Sequence, residues 1–506
     1  MRPIENSVNQ TKQSRMANFD IYEVGKVTSV RKFLITANEL PSCINGQIVE
    51  FKGGERGMVM GFTNDKVQIL VLESNFLLRT GDKVYNRGQA LYLPVGDKFL
   101  GRVVNSLCEP LDGMGPVESS EVYPVFTEAR GVMDRVPVNK TLETGILAID
   151  AVIPIAKGQR QLIIGDRLTG KTTMAVDAIL NQKDKEIICI YCCIGKPYVS
   201  LIKVLDTFQA KKVMPYCVVV NGTSSTSVGE QYLAPYTACM LGEYFMNQGK
   251  DVLVVLDDLT KHAWVYRQIS LLLERAPGRE AYPGDIFYVH SQLMERAGYL
   301  KPELKGGSMT FLPIVETLQG DMTGYIPNNI VSMTDGQIYS NTALFYLGIR
   351  PSVDFGLSVS RIGNKAQWPA MRELSRSFRL DYLQYQELVQ MTRLRTTGLS
   401  KEAQERLQRG KVITQLIIQG KNKPVAMEEQ IIYLYTLKLK LLDDLSLEGV
   451  KQFKQECFKF IQEQYPDIIS ELRSSKALSD TIKVKLEEGI KVYIKTKVKV
   501  LRELVV

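Results

Sequence analysis

Apolar and polar positions follow three successive patterns along this chain. From about Ile21 to Val95, short apolar runs alternate with polar turns: Val24–Val30, Gln47–Phe51, Gly57–Phe62, Val67–Leu72 and Lys83–Leu93, punctuated by Gly53-Gly54 and Asn64-Asp65. Short strands at near-regular spacing predict a small barrel or sandwich over 21–95. From about Gly96 to Pro369, strand-like and helix-like stretches alternate, which predicts a mostly parallel sheet covered by helices. Beyond about Ala370 the apolar positions recur every three or four residues. The runs Glu373–Arg393, Lys401–Gln419, Met427–Leu442, Ser446–Gln464 and Asp480–Leu504 therefore predict a helical bundle over 370–506. The opening residues, Met1 to Asn18, are polar, and 1–20 is expected to be poorly ordered or only lightly docked.

Composition changes this picture little. A length of 506 residues fits about three domains. With 45% hydrophobic and 23% charged residues the chain has an ordinary globular composition. A net charge of +8 is mild, and Lys and Arg are spread out rather than clustered, so nothing points to nucleic acid. The last helix carries Lys483, Lys485, Lys491, Lys495, Lys497 and Lys499, a basic face that could meet an acidic partner but reads first as a solvated helix surface. Met1 to Gln10 lack the apolar core of a signal peptide, and no run approaches the ~20 apolar residues that span a bilayer. Of the eight cysteines, Cys189 and Cys192 form a nominal C-x-x-C inside the expected strand Glu186–Ile194. Residues three apart in a strand point to opposite faces and could not share a metal, so the cysteines are read as buried thiols in a reducing compartment.

The chemistry concentrates at Gly165-Asp166-Arg167-Leu168-Thr169-Gly170-Lys171-Thr172, which fits G-x-x-x-x-G-K-[ST]. Arg160–Ile164 before it reads as a short apolar strand. Lys171–Asn181 after it, with Thr173 in its first turn, reads as a helix with Met174, Ala175, Ala178 and Ile179 on one side. Strand, glycine loop and helix together form a phosphate cradle, in which backbone N–H groups and the helix N-terminus face the anion. Lys171 would reach the β- and γ-phosphates and the Thr172 hydroxyl would be a Mg²⁺ ligand. Asp251–Asp258 is an apolar strand ending in two carboxylates. It is expected beside the strand that feeds the loop, with Asp257 as the Mg²⁺ ligand and Asp258 as second candidate. The competing reading is that both carboxylates cap the turn Leu259-Thr260-Lys261.

Several separated stretches closely resemble the alpha-type chains of the F-type ATP synthase family, the rotary ATPases. They are Gly165–Thr172, Pro277–Asp285, Gly320–Gln337 and, most diagnostic, Pro351–Ser360 followed directly by Arg361. The resemblance runs from about Val24 to the C-terminal helices. It implies an N-terminal β-barrel, a central P-loop nucleotide-binding domain over 96–369 and a C-terminal helical domain. It also implies an alternating ring of three alpha-type and three beta-type chains around a gamma-type central stalk, with proton or other ion transport by a membrane sector. Attachment to peripheral stator subunits is left open by the poorly matched N-terminus. The ring would lie at the cytoplasmic face of a bacterial membrane, peripherally. On this resemblance the alpha-type chain binds Mg-ATP or Mg-ADP without turning it over. It lends Arg361 to the neighbouring catalytic site, where a guanidinium stabilises γ-phosphoryl charge; Ser358 and Ser360 would help shape that interface. Gln419, Arg350 and Pro351 would border the base pocket.

The chain departs from the family pattern at three site positions. Leu168 stands where the loop usually has Gln, and Lys421 breaks the usual Gln-Gly-Gln at 419–421. Lys196 follows Gly195 where the catalytic type has Glu and the alpha type usually Gln. A protonated lysine has no acceptor and cannot take a proton from water, so this copy should not hydrolyse efficiently. Lys196 could contact phosphate or pair with an acid on the surface. Two rival readings are a self-sufficient hexameric motor ATPase, which needs a carboxylate near 196, and a variant ring not used for proton-driven synthesis.

Overall fold

The computed structural model describes residues 22–73, 77–394 and 400–498. The segment expected over 1–20, and Lys499 with the end of the last expected helix, lie outside them. Two units are distinguished, one up to Leu91 and one from Tyr92.

In the first unit, β1 (Glu23–Arg31), β2 (Leu34–Asn38), β3 (Gln47–Phe51), β4 (Arg56–Thr63), β5 (Lys66–Val71) and β6 (Lys83–Ala90) close into an antiparallel barrel in the order β1-β2-β5-β4-β3-β6. Inward positions such as Val27, Ile35, Val49, Val59, Ile69 and Val84 form its core. Closure leaves no unpaired edge. The β4–β5 hairpin turns on Asn64-Asp65 between the paired Thr63 and Lys66, with Asn64 at φ 48°, as a tight two-residue loop requires. The strand β2 was not anticipated, and the expected run Lys83–Leu93 stops pairing at Ala90.

The second unit continues through β7 (Tyr92–Val95), β8 (Val103–Asn105), β9 (Glu121–Pro124), β10 (Thr141–Leu142), β11 (Ile155–Ala156), β12 (Leu162–Gly165), β13 (Ile187–Ile194), β14 (Cys217–Gly222), β15 (Asp251–Asp257), β16 (Gly298–Tyr299), β17 (Ser308–Glu316), β18 (Gly336–Ser340) and β19 (Val359–Ser360). Its main sheet runs β19-β18-β12-β17-β15-β13-β14-β8, parallel except for β19, with β16 pairing antiparallel on β17. Every residue of β12, β13 and β14 is buried, which suits strands covered on both faces. All eight cysteines are buried and free. One expectation is corrected: β15 does not lie beside β12, because β17 is inserted between them.

The C-terminal helices are Pro369–Leu394, Lys401–Ile417, Met427–Lys438, Leu447–Gln464, Pro466–Ser475 and Asp480–Tyr493. Ser400, Ser446 and Ser479 cap three of them, each hydroxyl accepting from the N–H three residues on. The helix Pro466–Ser475 was not anticipated; a proline at its first position restarts helical geometry after Tyr465. One apolar core joins these helices to the sheet, running from Ile163 and Ile179 to Phe378, Ile413 and Tyr433. The fold is therefore a β-barrel, a nucleotide-binding-type α/β domain and a helical domain.

Candidate functional site

The carboxyl ends of β12, β13, β15 and β17 open onto one cleft of about 1240 Å³. Parallel registry explains what gathers there. Gly165 is level with Glu316, and Cys193 with Asp257, so the residues just beyond these strands meet at the same height. The cleft is lined by Arg167 to Thr173, Lys196, Asp257, Glu316, Arg350, Pro351, Gln419 and Lys421, among others.

The loop 165–172 is held from below. Asp166 accepts from Thr317 Oγ1 (2.6 Å), Gly320 N (2.8 Å) and Thr342 Oγ1 (3.0 Å), so its side chain fixes the loop to the neighbouring strands. Thr169 O accepts from the Ser340 and Ser352 hydroxyls at 2.9 and 3.0 Å. Gly170 has φ +92°, a left-handed conformation that glycine adopts without strain, and it starts the helix Lys171–Leu180. Lys171 is buried and its Nζ donates to Gly165 O (2.9 Å) and Asp166 O. Burial lowers its pKa, although Glu316, Asp258 and Asp257 oppose that. Leu168 also has a left-handed φ, +63°, and its side chain is 91% exposed at the cleft.

Thr172 and Asp257 do meet: Thr172 Oγ1 donates to Asp257 Oδ2 at 2.8 Å. Both are also bonded to Lys196, whose Nζ is 2.7 Å from Thr172 Oγ1, from Asp257 Oδ1 and from Asp257 Oδ2. The Tyr191 hydroxyl donates to Oδ2 at 2.9 Å. Burial pulls the Lys196 ammonium down, but the charge and hydrogen bond of Asp257, with Asp258, hold its pKa above the usual lysine value. Lys196 is thus neither a surface partner nor free. Asp258 takes the competing role considered for it. It is buried, caps the helix Leu259–Leu272 by accepting from Lys261 N at 2.8 Å, and is pushed up to about 7 by burial, then by Glu316 and Asp257.

Glu316 is the site residue that motif reading missed. It sits at the end of β17 and accepts from Arg167 Nε at 3.0 Å and Lys261 Nζ at 3.3 Å. Its visible signal was only a polar residue closing an apolar run, and its relevance depends on β17 lying next to β12. The Gln419 amide is engaged with backbone, donating to Gly145 O (2.7 Å) and Lys423 O (2.9 Å) and accepting from Leu147 N (3.3 Å). Arg350 lies over the Phe345 ring, 4.3 Å from its centroid.

Arg361 and Ser358 are outside this cleft. Arg361 follows β19, the edge strand beyond β18, and is exposed. Its backbone N–H donates to Asp335 O, while its guanidinium makes no hydrogen bond or ion pair among the described residues. Ser358 differs from the expectation: it is fully buried and its hydroxyl accepts from Tyr339 N at 2.9 Å, so it can shape the surface near Arg361 only through the backbone.

Comparison with known proteins covers the same three regions. Residues 22–88, 145–360 and 367–493 match the beta-barrel domain, the nucleotide-binding domain and the C-terminal domain of the ATP synthase alpha/beta family. The ATP synthase subunit alpha of Clostridium botulinum (strain Eklund 17B / Type B) is 46% identical over 451 residues, 89% of each chain. That of Caldanaerobacter subterraneus subsp. tengcongensis is 45% identical over 497 residues, 97% of this chain and 98% of its own. That of Clostridium acetobutylicum is 46% identical over 454 residues, 90% of each.

Proposed function

The chain belongs to the ATP synthase alpha/beta family, and from that premise we propose that it is a nucleotide-binding, non-catalytic alpha-type subunit of a rotary ring. It binds ATP or ADP at its own cleft and extends Arg361 to the catalytic site of an adjacent beta-type subunit. Its partners are beta-type chains alternating with it, a gamma-type central stalk, and indirectly an ion-conducting membrane sector. Its place at the membrane is peripheral; among the described residues no helix is long and apolar enough to cross one.

The observation that carries the non-catalytic reading is at position 196. A water attacking a γ-phosphate must be oriented or deprotonated by an acceptor, and Lys196 offers none. The carboxylates grouped around Lys196 are engaged, Glu316 by Arg167 and Lys261, Asp258 as a helix cap and Asp257 by Lys196, while Asp177 lines the cleft farther along the helix that follows the loop. The exposed, unpaired guanidinium of Arg361 supports a role outside this chain, since a cation held for its own cleft would face it.

The Mg²⁺ that accompanies nucleotide in this family is a different matter. Thr172 and Asp257 are the candidate ligands, yet the Lys196 ammonium already stands 2.7 Å from Thr172 Oγ1 and from both Asp257 carboxylate oxygens. Mg²⁺ needs ligand oxygens at about 2.0–2.1 Å in near-octahedral array. The donor set as it stands fits an ammonium and not a divalent ion.

The reading is tested in a reconstituted ring containing Arg361→Ala. We expect ring ATPase to fall by roughly 10³-fold or more with assembly intact by size-exclusion chromatography. Normal turnover in that ring would refute the role given to Arg361.

A further inference from the structure

The contact made by Lys196 is built into the fold. Gly195 has φ +61°, and a Cβ there would stand 2.6 Å from Lys261 Cβ, so only glycine fits. Gly195 N donates to Gly222 O at 2.7 Å, which pins the turn leaving β13. Lys196 then stands three residues beyond Cys193, the residue level with Asp257. Its ammonium has three donors and no acceptor, and it stands 2.7 Å from each of Thr172 Oγ1, Asp257 Oδ1 and Asp257 Oδ2. The side chains of Lys196 and Asp257 are 18% and 1% exposed. The cluster is closed from the sheet side by Tyr191.

A divalent ion and an ammonium cannot both use these oxygens, since like charges at contact distance repel strongly in a buried site. Displacing the ammonium would separate it from its buried acceptors, which is costly for both partners. We propose that Lys196 is a covalently tethered replacement for the divalent ion, and that this site takes ATP or ADP as the metal-free nucleotide. The proposal rests on the reading of the cleft as a nucleotide site. With Lys171, Arg167 and Lys261 also lining the cleft, positive charge for the phosphates comes from the chain itself. Occupancy of the site is therefore uncoupled from free Mg²⁺, whereas a beta-type site using the metal in catalysis would remain dependent on it.

The test is equilibrium binding of ATP and of ADP to the full-length chain by calorimetry, in excess EDTA and in excess MgCl₂. The dissociation constant in EDTA should be no weaker than that in Mg²⁺ by more than about threefold. Lys196→Gln, which frees the oxygens, should lose roughly tenfold or more in EDTA and recover in Mg²⁺. Wild-type binding weaker in EDTA by more than about threefold would mean that the metal displaces Lys196, overturning the proposal while leaving the nucleotide site intact. Binding in neither buffer would overturn the nucleotide reading itself. The wild-type comparison decides the matter even if the variant fails to fold.

Discussion

At position 196 the exchange of a carboxylate or amide for an ammonium changes the two things a phosphate site needs, an acceptor for water and a place for a metal. Lys171 has the opposite character, because its position matches the loop motif and it lies buried against the loop carbonyls. Removing it should weaken ATP binding to the full-length chain by roughly 10- to 100-fold, the worth of one or two charged hydrogen bonds. An unchanged dissociation constant for Lys171→Ala would show the cradle to be vestigial. The loop residues were legible in the sequence because one contiguous motif encodes them. The partner of Lys196 was not: its pairing with Asp257 joins residues 61 apart through the registry of β13 and β15. Glu316 stayed hidden for the same reason. Gln419 lines the cleft, and its amide contacts could be read only once the turn 419–423 was folded against Gly145.

Elements were easiest to read where burial alone dictates pattern. The fully apolar β13 and the amphipathic C-terminal helices declare themselves by periodicity. What periodicity does not carry is strand order, and so β17 came between β12 and β15 against expectation. The strand β2 and the helix Pro466–Ser475 were lost as well. Packing between elements also produces a pH dependence. His262, on the helix Leu259–Leu272, and His290, on Ile286–Glu295, are buried with Nδ1 and Nε2 3.3 Å apart, and His262 Nε2 lies 3.0 Å from Tyr232 O. Burial holds both imidazoles well below their usual range, with His262 lowering His290 further. In the unfolded chain they titrate near ~6.5, so below that pH the unfolded state binds more protons and stability falls. The contribution is complete above about pH 6.5 and is lost as pH drops towards about 4 for His262 and about 3 for His290. Asp258 and Asp177, pushed up to about 7, act in the opposite sense over the same range, so the pair is read by difference: urea midpoints measured from pH 7 to 5 should fall less steeply, or rise more steeply, in His290→Gln than in the wild type. An identical slope in the variant would remove the pair from the account. These are the only two histidines in the chain, so no other imidazole contributes.

At the scale of the whole second unit, the cleft and Arg361 lie on separate surfaces. The cleft gathers the loop 165–172, Lys196 and Asp257, while Arg361 stands on the sheet edge beyond β18. A self-sufficient motor needs both functions to serve one site in one kind of chain, with a carboxylate near 196. A division of labour between two kinds of chain needs this separation. The most direct measurement is ATP turnover by the purified full-length chain, first alone and then mixed with its beta-type partner. The account predicts no turnover above background alone and activity in the mixture. Turnover by the chain alone would contradict it, since some other group would then have to supply the acceptor that Lys196 lacks.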